Sequence, residues 1–140
     1  MIRAAARIVR TMTATDLVGT WELASYYDID DADVRSEGPL GPAPRGLLIY
    51  TAQGSVSVSM MRTGETTAAN TFMGYAGTWR TAGKAVVHAI SVCSNPAWAG
   101  TEQVRQMSLD GDVLTLIGAA QVDGRTQRRI LTWRRSARPC

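Results

Sequence analysis

The chain has 140 residues, 45% of them hydrophobic and 19% charged, with a formal net charge of +3. That length supports one domain with a real core and is short for two, and no apolar run approaches the roughly 20 residues that span a bilayer. Arg3, Arg7, Arg10, Arg134, Arg135 and Arg138 put the positive excess on the termini and leave residues 12–133 with nine bases against twelve acids, a net of −3, whereas a nucleic-acid groove needs clustered positive charge on the folded body.

In chain order, the first segment carries three arginines on a weak helical stripe. Arg7 and Arg10 interrupt the apolar centre that a signal peptide requires. Residues 1–12 therefore read as a flexible extension, with Met12 as a second candidate start. Thr13–Gly19 predicts a short helical turn, capped by Thr13 or Thr15 and stopped by Gly19. Thr20–Ile29 reads as a first strand and Asp30–Pro44 as a long loop, with two glycines and two prolines in Gly38–Pro42. Arg45–Thr51 and Ser55–Arg62 form a hairpin around Gln53-Gly54. Thr63–Thr71 is polar, a loop or short helix. Phe72–Thr81 and Lys84–Cys93 pair around Ala82-Gly83, and Ser94–Gly100 is a corner. Thr101–Leu109 and Asp112–Ala119 pair around Asp110-Gly111, and Arg125–Arg135 follows Asp123-Gly124. Eight short strands with turn signals every eight to twelve residues mark an all-β sandwich or barrel. The body spans 13–135 and a short tail 136–140.

Two-residue turns with glycine in second place fix strand register. Around Asp110-Gly111 and Asp123-Gly124 they predict the rows Met107–Leu114–Trp133, Arg105–Leu116–Leu131 and Gln103–Gly118–Arg129. That face is apolar at one end and polar at the other, as in a barrel with a packed floor and a polar mouth. Around Ala82-Gly83, Trp79 faces Val86, Gly77 faces His88 and Tyr75 faces Ile90. The single histidine would then sit beside the space a glycine leaves, with Trp79 and Tyr75 as diagonal neighbours. A bulge in any strand would turn these faces over.

The inventory of reactive groups is small. Cys93 and Cys140 are two cysteines without metal spacing and read as free thiols, as in a reducing cytoplasm. One histidine makes a zinc site improbable. There is no phosphate loop, dinucleotide fingerprint or Gly-x-Ser-x-Gly element, so no cofactor is expected. His88 is the natural proton-transfer group, with Tyr75 or Glu102 as a partner. Arg105, Arg129 and Arg62 could grip a ligand oxygen, or could pair with Glu22 or Glu102. Trp21 is assigned to the closed floor. Tyr27, Tyr50, Tyr75, Trp79 and Trp98 offer aromatic surface, and Met60, Met61, Met73 and Met107 offer adaptable apolar surface.

The run LVGTWELASY at Leu17–Tyr26 holds the Gly-x-Trp element that opens lipocalin-type barrels. PRGLLIYTAQG (44–54), SMMR (59–62), YAGTW (75–79), NPAWAGTEQVR (95–105) and LDGDVLTL (109–116) follow in order. Together these segments, spanning Asp16 to Trp133, resemble the bacterial lipocalin-like domain family. The resemblance implies an eight-stranded antiparallel up-and-down β-barrel with an interior pocket, preceded by the short helical turn. The stretch from Arg62 to Phe72 is shorter than the family's helical insertion there, which would leave the pocket more open. The pocket is expected to bind a hydrophobic small molecule. One reading is a cofactor-free cyclase or isomerase of polyketide-type natural products, with His88, Tyr75 and Arg105 as catalytic residues. Its ligand contacts would be Tyr27, Tyr50, Met60, Arg62, Trp79, Asn95, Trp98, Gln103 and Arg129. The alternative is a non-catalytic carrier of a lipid-like or pigment ligand, and a third reading is an interaction module with a filled barrel. The expected setting is cytoplasmic, without nucleic acid, membrane or metal, and a homodimer is compatible with the sequence.

Overall fold

A computed structural model describes residues 13–64 and 71–136. The expected extension 1–12, the centre of the Thr63–Thr71 segment and residues 137–140, including Cys140, lie outside the described residues. The helical turn α1 is Ala14–Leu17, and the strands are β1 Gly19–Ile29, β2 Arg35–Glu37, β3 Arg45–Tyr50, β4 Ser55–Met61, β5 Phe72–Ala82, β6 Ala85–Cys93, β7 Glu102–Asp110, β8 Val113–Val122 and β9 Arg125–Arg135. A short 3-10 helix, Pro96–Trp98, forms the corner between β6 and β7. All eight expected strands are present. β2 is an addition inside the long loop, where it pairs with Tyr27–Ile29 on the edge of β1 that β3 covers only as far as Glu22.

The strands β1 and β3–β9 pair antiparallel with their chain neighbours, and β9 returns to β1. The result is the closed eight-stranded up-and-down barrel, with no free edge left between its first and last strands. One end is a floor. Trp21 is 0% exposed there, donates from Nε1 to the Leu17 carbonyl at 3.0 Å, and lies under the Arg135 guanidinium, 4.2 Å away. Arg135 also donates to the Val18 and Asp16 carbonyls, so one side chain ties β9 to the segment that closes the barrel. Leu48, Tyr50, Val56, Val86, Leu114 and Trp133 complete the packed base.

The predicted rows need one correction. Leu114 does face Trp133, Leu116 faces Leu131 and Gly118 faces Arg129. Across the other hairpin, however, Leu109 faces Leu114 and Met107 faces Leu116, a slide of two residues. At Asp123-Gly124 both residues have positive φ (52° and 75°), the type I′ geometry assumed. In the other two hairpins the glycine leads: Gly111 (φ 60°) precedes Asp112, and Gly83 (φ 61°) precedes Lys84. That is type II′ geometry, which needs glycine in first place. Because side chains alternate with period two, a slide of two keeps every residue on its predicted face.

At Gly83-Lys84 the same slide places Trp79, not Gly77, opposite His88, and Gly77 opposite Ile90. Gly77 has a different reason to be glycine. The next pair is Ala76 with Val92, which leaves Ser91 extra. A Cβ on Gly77 would fall 1.8 Å from the Ala89 carbonyl oxygen. A second bulge, between Leu23 and Ser25 of β1, turns the rest of that strand over. Tyr26 and Asp28 therefore point into the barrel.

Candidate functional site

Above the packed base the barrel holds a cavity of about 190 Å³. Its apolar wall is Leu48, Val58, Met60, Met73, Leu116, Leu131 and Trp133, and its polar wall is Tyr26, Tyr75, His88, Gln103, Arg105 and Arg129, with Trp98, Ala119 and Ala120 near the mouth. The polar residues gather toward the mouth because the inward rows change from apolar to polar along β7 and β9, with Gly118 of β8 between them.

His88, 1% exposed, is held from both sides. The Tyr50 hydroxyl lies 2.6 Å from Nε2 and the Tyr75 hydroxyl 2.6 Å from Nδ1. Burial, with the nearby Arg105 charge, pushes its pKa down to about 3, so the imidazole is neutral at physiological pH. Burial pushes the Tyr75 phenol up to about 12 and the Tyr50 phenol well above its usual range. The trio is thus three neutral, hydrogen-bonded groups, and only Tyr75 and His88 border the cavity.

The second polar group is a row across three strands. The Arg105 guanidinium covers Gly118, where a Cβ would meet its Nη1 at 2.6 Å, and Gly118 faces Arg129. Arg105 donates to the Gln103 side-chain oxygen and to the Val104 carbonyl. Among the described residues no carboxylate pairs with it. Asp28, 5% exposed, lies 3.5 Å from Arg129 Nε. That is an ion pair without a hydrogen bond, since neither Asp28 Oδ1 nor Arg129 Nε has a hydrogen-bond partner among the described residues. Burial raises the Asp28 pKa despite the arginine.

Of the residues singled out from sequence, Met60, Tyr75, His88, Trp98, Gln103, Arg105 and Arg129 meet at this one cavity. Tyr50 and Trp79 lie beneath it. Their rings pack at 4.7 Å and Trp79 Nε1 donates to the Thr51 carbonyl. Tyr27 points outward because of the β1 bulge, under the Arg35 guanidinium. Arg62 donates to the Pro39 carbonyl and so braces the long loop. Asn95 accepts from the Ala97 backbone amide, so it caps the corner helix, and its own carbonyl receives the half-buried Cys93 thiol. Glu102 is exposed and paired with Arg80 at 2.8 Å, on the outer face and away from His88. Sequence reasoning missed Tyr26 and Asp28, whose inward turn depends on a bulge that no local motif announces.

Comparison with known proteins agrees with this architecture. A family model described as a lipocalin-like domain matches residues 18–136. Over 55 residues the chain is 38% identical to the 4′-hydroxy-3′-methoxypropiophenone carrier protein ppsC of Aspergillus oryzae. The match spans 38% of this chain and 50% of that protein, so the chain covers about half the length of this curated relative.

Proposed function

The chain belongs to the lipocalin-like domain family, and from that premise we propose that its barrel binds and carries one small aromatic molecule, about a single substituted ring in size. The observation that carries this reading is the 190 Å³ cavity with an aliphatic–indole wall on one side and convergent polar groups on the other. An apolar cavity of about 150 Å³ already admits benzene, so this one has room for a ring with short substituents. Pockets for larger, drug-sized ligands start near roughly 300 Å³, which disfavours a fused polyketide. The name of the Aspergillus oryzae relative, a carrier of a substituted propiophenone, points the same way.

The cyclase or isomerase reading asks for a group that exchanges protons near neutral pH. His88, lowered to about 3, and Tyr75, raised to about 12, are poorly matched to that task. The trio is better suited to orienting a ligand oxygen than to moving protons, and carriage is the stronger reading.

Trp98 and Trp133 both border the cavity, so their fluorescence reports occupancy. Titration with acetophenone and para-hydroxyacetophenone should give saturable one-to-one quenching, with the ketone recovered unchanged. Absence of saturable binding by any one-ring ketone removes the pocket reading. Conversion of the bound ketone restores the enzyme reading.

A further inference from the structure

We propose that the cavity takes its aromatic ligand as a phenolate, gripped by the Tyr75 hydroxyl and the guanidinium groups of Arg105 and Arg129; this rests on the carrier reading above. The argument begins with where the hydrogens lie. A neutral imidazole has one donor and one acceptor nitrogen. Tyr50 is 1% exposed and its hydroxyl meets no hydrogen-bond partner among the described residues except His88 Nε2. If Nε2 carried the proton, the Tyr50 hydrogen would be buried without an acceptor, at a full desolvation cost. Tyr50 therefore donates to Nε2, Nδ1–H donates to the Tyr75 oxygen, and the Tyr75 hydrogen is left for the cavity. Tyr50 and His88 act as positioning residues that make Tyr75 a fixed donor.

Several other groups at the cavity are also donors. Among the described residues Trp133 Nε1–H and Arg129 Nε–H are buried without a hydrogen-bond partner, as is the acceptor Asp28 Oδ1 that faces Arg129. The Gln103 side-chain oxygen, an acceptor, is occupied by Arg105. The free donors outnumber the acceptors, which are the Tyr26 hydroxyl and Asp28 Oδ1, so a ligand oxygen that only accepts fits this wall better than a neutral phenol. Charge adds to the same bias. The titratable and charged groups facing the site are Tyr26 and Asp28 from β1, Tyr75 from β5, His88 from β6, Arg105 from β7 and Arg129 from β9. Two guanidinium groups stand against one carboxylate, so the site retains positive charge. A bound phenol loses its proton to the buffer, and its oxygen, now an anion, accepts from Tyr75 and the arginines.

Two measurements test this. The chain has one histidine, so the NMR nitrogen shifts of its imidazole need no assignment. They should report the Nδ1–H tautomer. The Nε2–H tautomer would point the Tyr75 hydrogen at His88 and overturn its donor role. Second, para-nitrophenol is mixed with the protein about one pH unit below the probe's own pKa. The phenolate band should grow, with the apparent acidity of the bound probe raised about tenfold or more, and para-nitroanisole should bind at least about tenfold more weakly. Arg105→Gln and Arg129→Gln should each suppress the band, whereas Arg105→Lys retains part of it. Binding of para-nitrophenol as the neutral phenol, or equal affinity for para-nitroanisole, overturns the proposal and leaves the carrier reading standing. If neither probe binds, both fall.

Discussion

The Tyr50 hydroxyl reaches His88 Nε2 at 2.6 Å across the inside of the barrel, between residues 38 apart in sequence on strands that do not pair. No ladder hydrogen bond imposes this contact; the enclosed core does. Tyr50→Phe keeps the ring packing against Trp79 and removes only the hydroxyl. It leaves a buried imidazole nitrogen without its donor, which costs about 1–3 kcal/mol. Denaturant unfolding should show a lower midpoint with an unchanged slope. A midpoint equal to that of the native chain would mean that the hydrogen bond contributes nothing.

The same imidazole gives the fold a pH dependence. Burial first, and the Arg105 charge second, lower the His88 pKa from 6.5 to about 3 in the folded chain. Below the ordinary imidazole range the unfolded chain therefore binds a proton that the folded chain refuses. The stabilisation from a neutral His88 is complete above about pH 6.5 and is lost as the pH falls towards about 3. Asp28 acts in the opposite sense, because burial raises its pKa and the folded chain takes up its proton more readily as the pH falls. Comparing the native chain with His88→Gln at each pH cancels the Asp28 contribution. The native chain should lose unfolding free energy more steeply than the variant across that window. Parallel slopes would show that the imidazole does not titrate differently on unfolding.

Alternation and turn glycines made the strands legible, and the period of two protected the inward faces even where the register slid. Met107 and Arg105 face the interior as expected, although their row-mates differ. The sequence pattern does not distinguish a glycine in first place from one in second, because both read as x-Gly-x between strands. The φ values of Lys84 and Asp112, as against Asp123, depend on strand twist and neighbouring contacts. The inward turn of Tyr26 and Asp28 was illegible for a related reason. The bulge near Ala24 inserts one residue, and no turn residue marks it. The cavity's histidine and its Tyr75 partner were legible because β5 and β6 form one hairpin, whereas Tyr50 comes from β3, which meets β6 only across the closed barrel.

The two kinds of glycine predict different outcomes on substitution. Gly83 sits at φ 61° with nothing within 4 Å of a built Cβ. Gly83→Ala therefore adds only left-handed backbone strain, about 1–2 kcal/mol. Gly77→Ala drives a methyl to within 1.8 Å of a strand carbonyl oxygen, and neither strand can yield without losing the bulge. Its cost should exceed that of Gly83→Ala by several-fold, to the point of unfolding. Thermal melts should rank the native chain above Gly83→Ala and Gly83→Ala above Gly77→Ala. The reverse order would mean that the Ser91 bulge relaxes freely.

Gly118 offers a way to separate folding from binding. The atoms nearest a Cβ there belong to the far end of the Arg105 side chain, with Nη1 at 2.6 Å and Cζ at 2.7 Å. A flexible arginine can swing aside, so the barrel should tolerate Gly118→Ala with a stability change within about 1 kcal/mol, helped by the lower chain entropy of alanine when unfolded. The guanidinium, however, would leave the row it shares with Arg129. Hydrogen bonds to a charged group contribute about 1.5–3 kcal/mol, so affinity for an anionic one-ring ligand should fall roughly tenfold or more, while a neutral ring of the same shape is little affected. Calorimetric titration of both, beside a thermal melt, checks the split. Equal losses for the anion and the neutral ring would mean that the methyl narrows the cavity and that the displaced arginine is irrelevant.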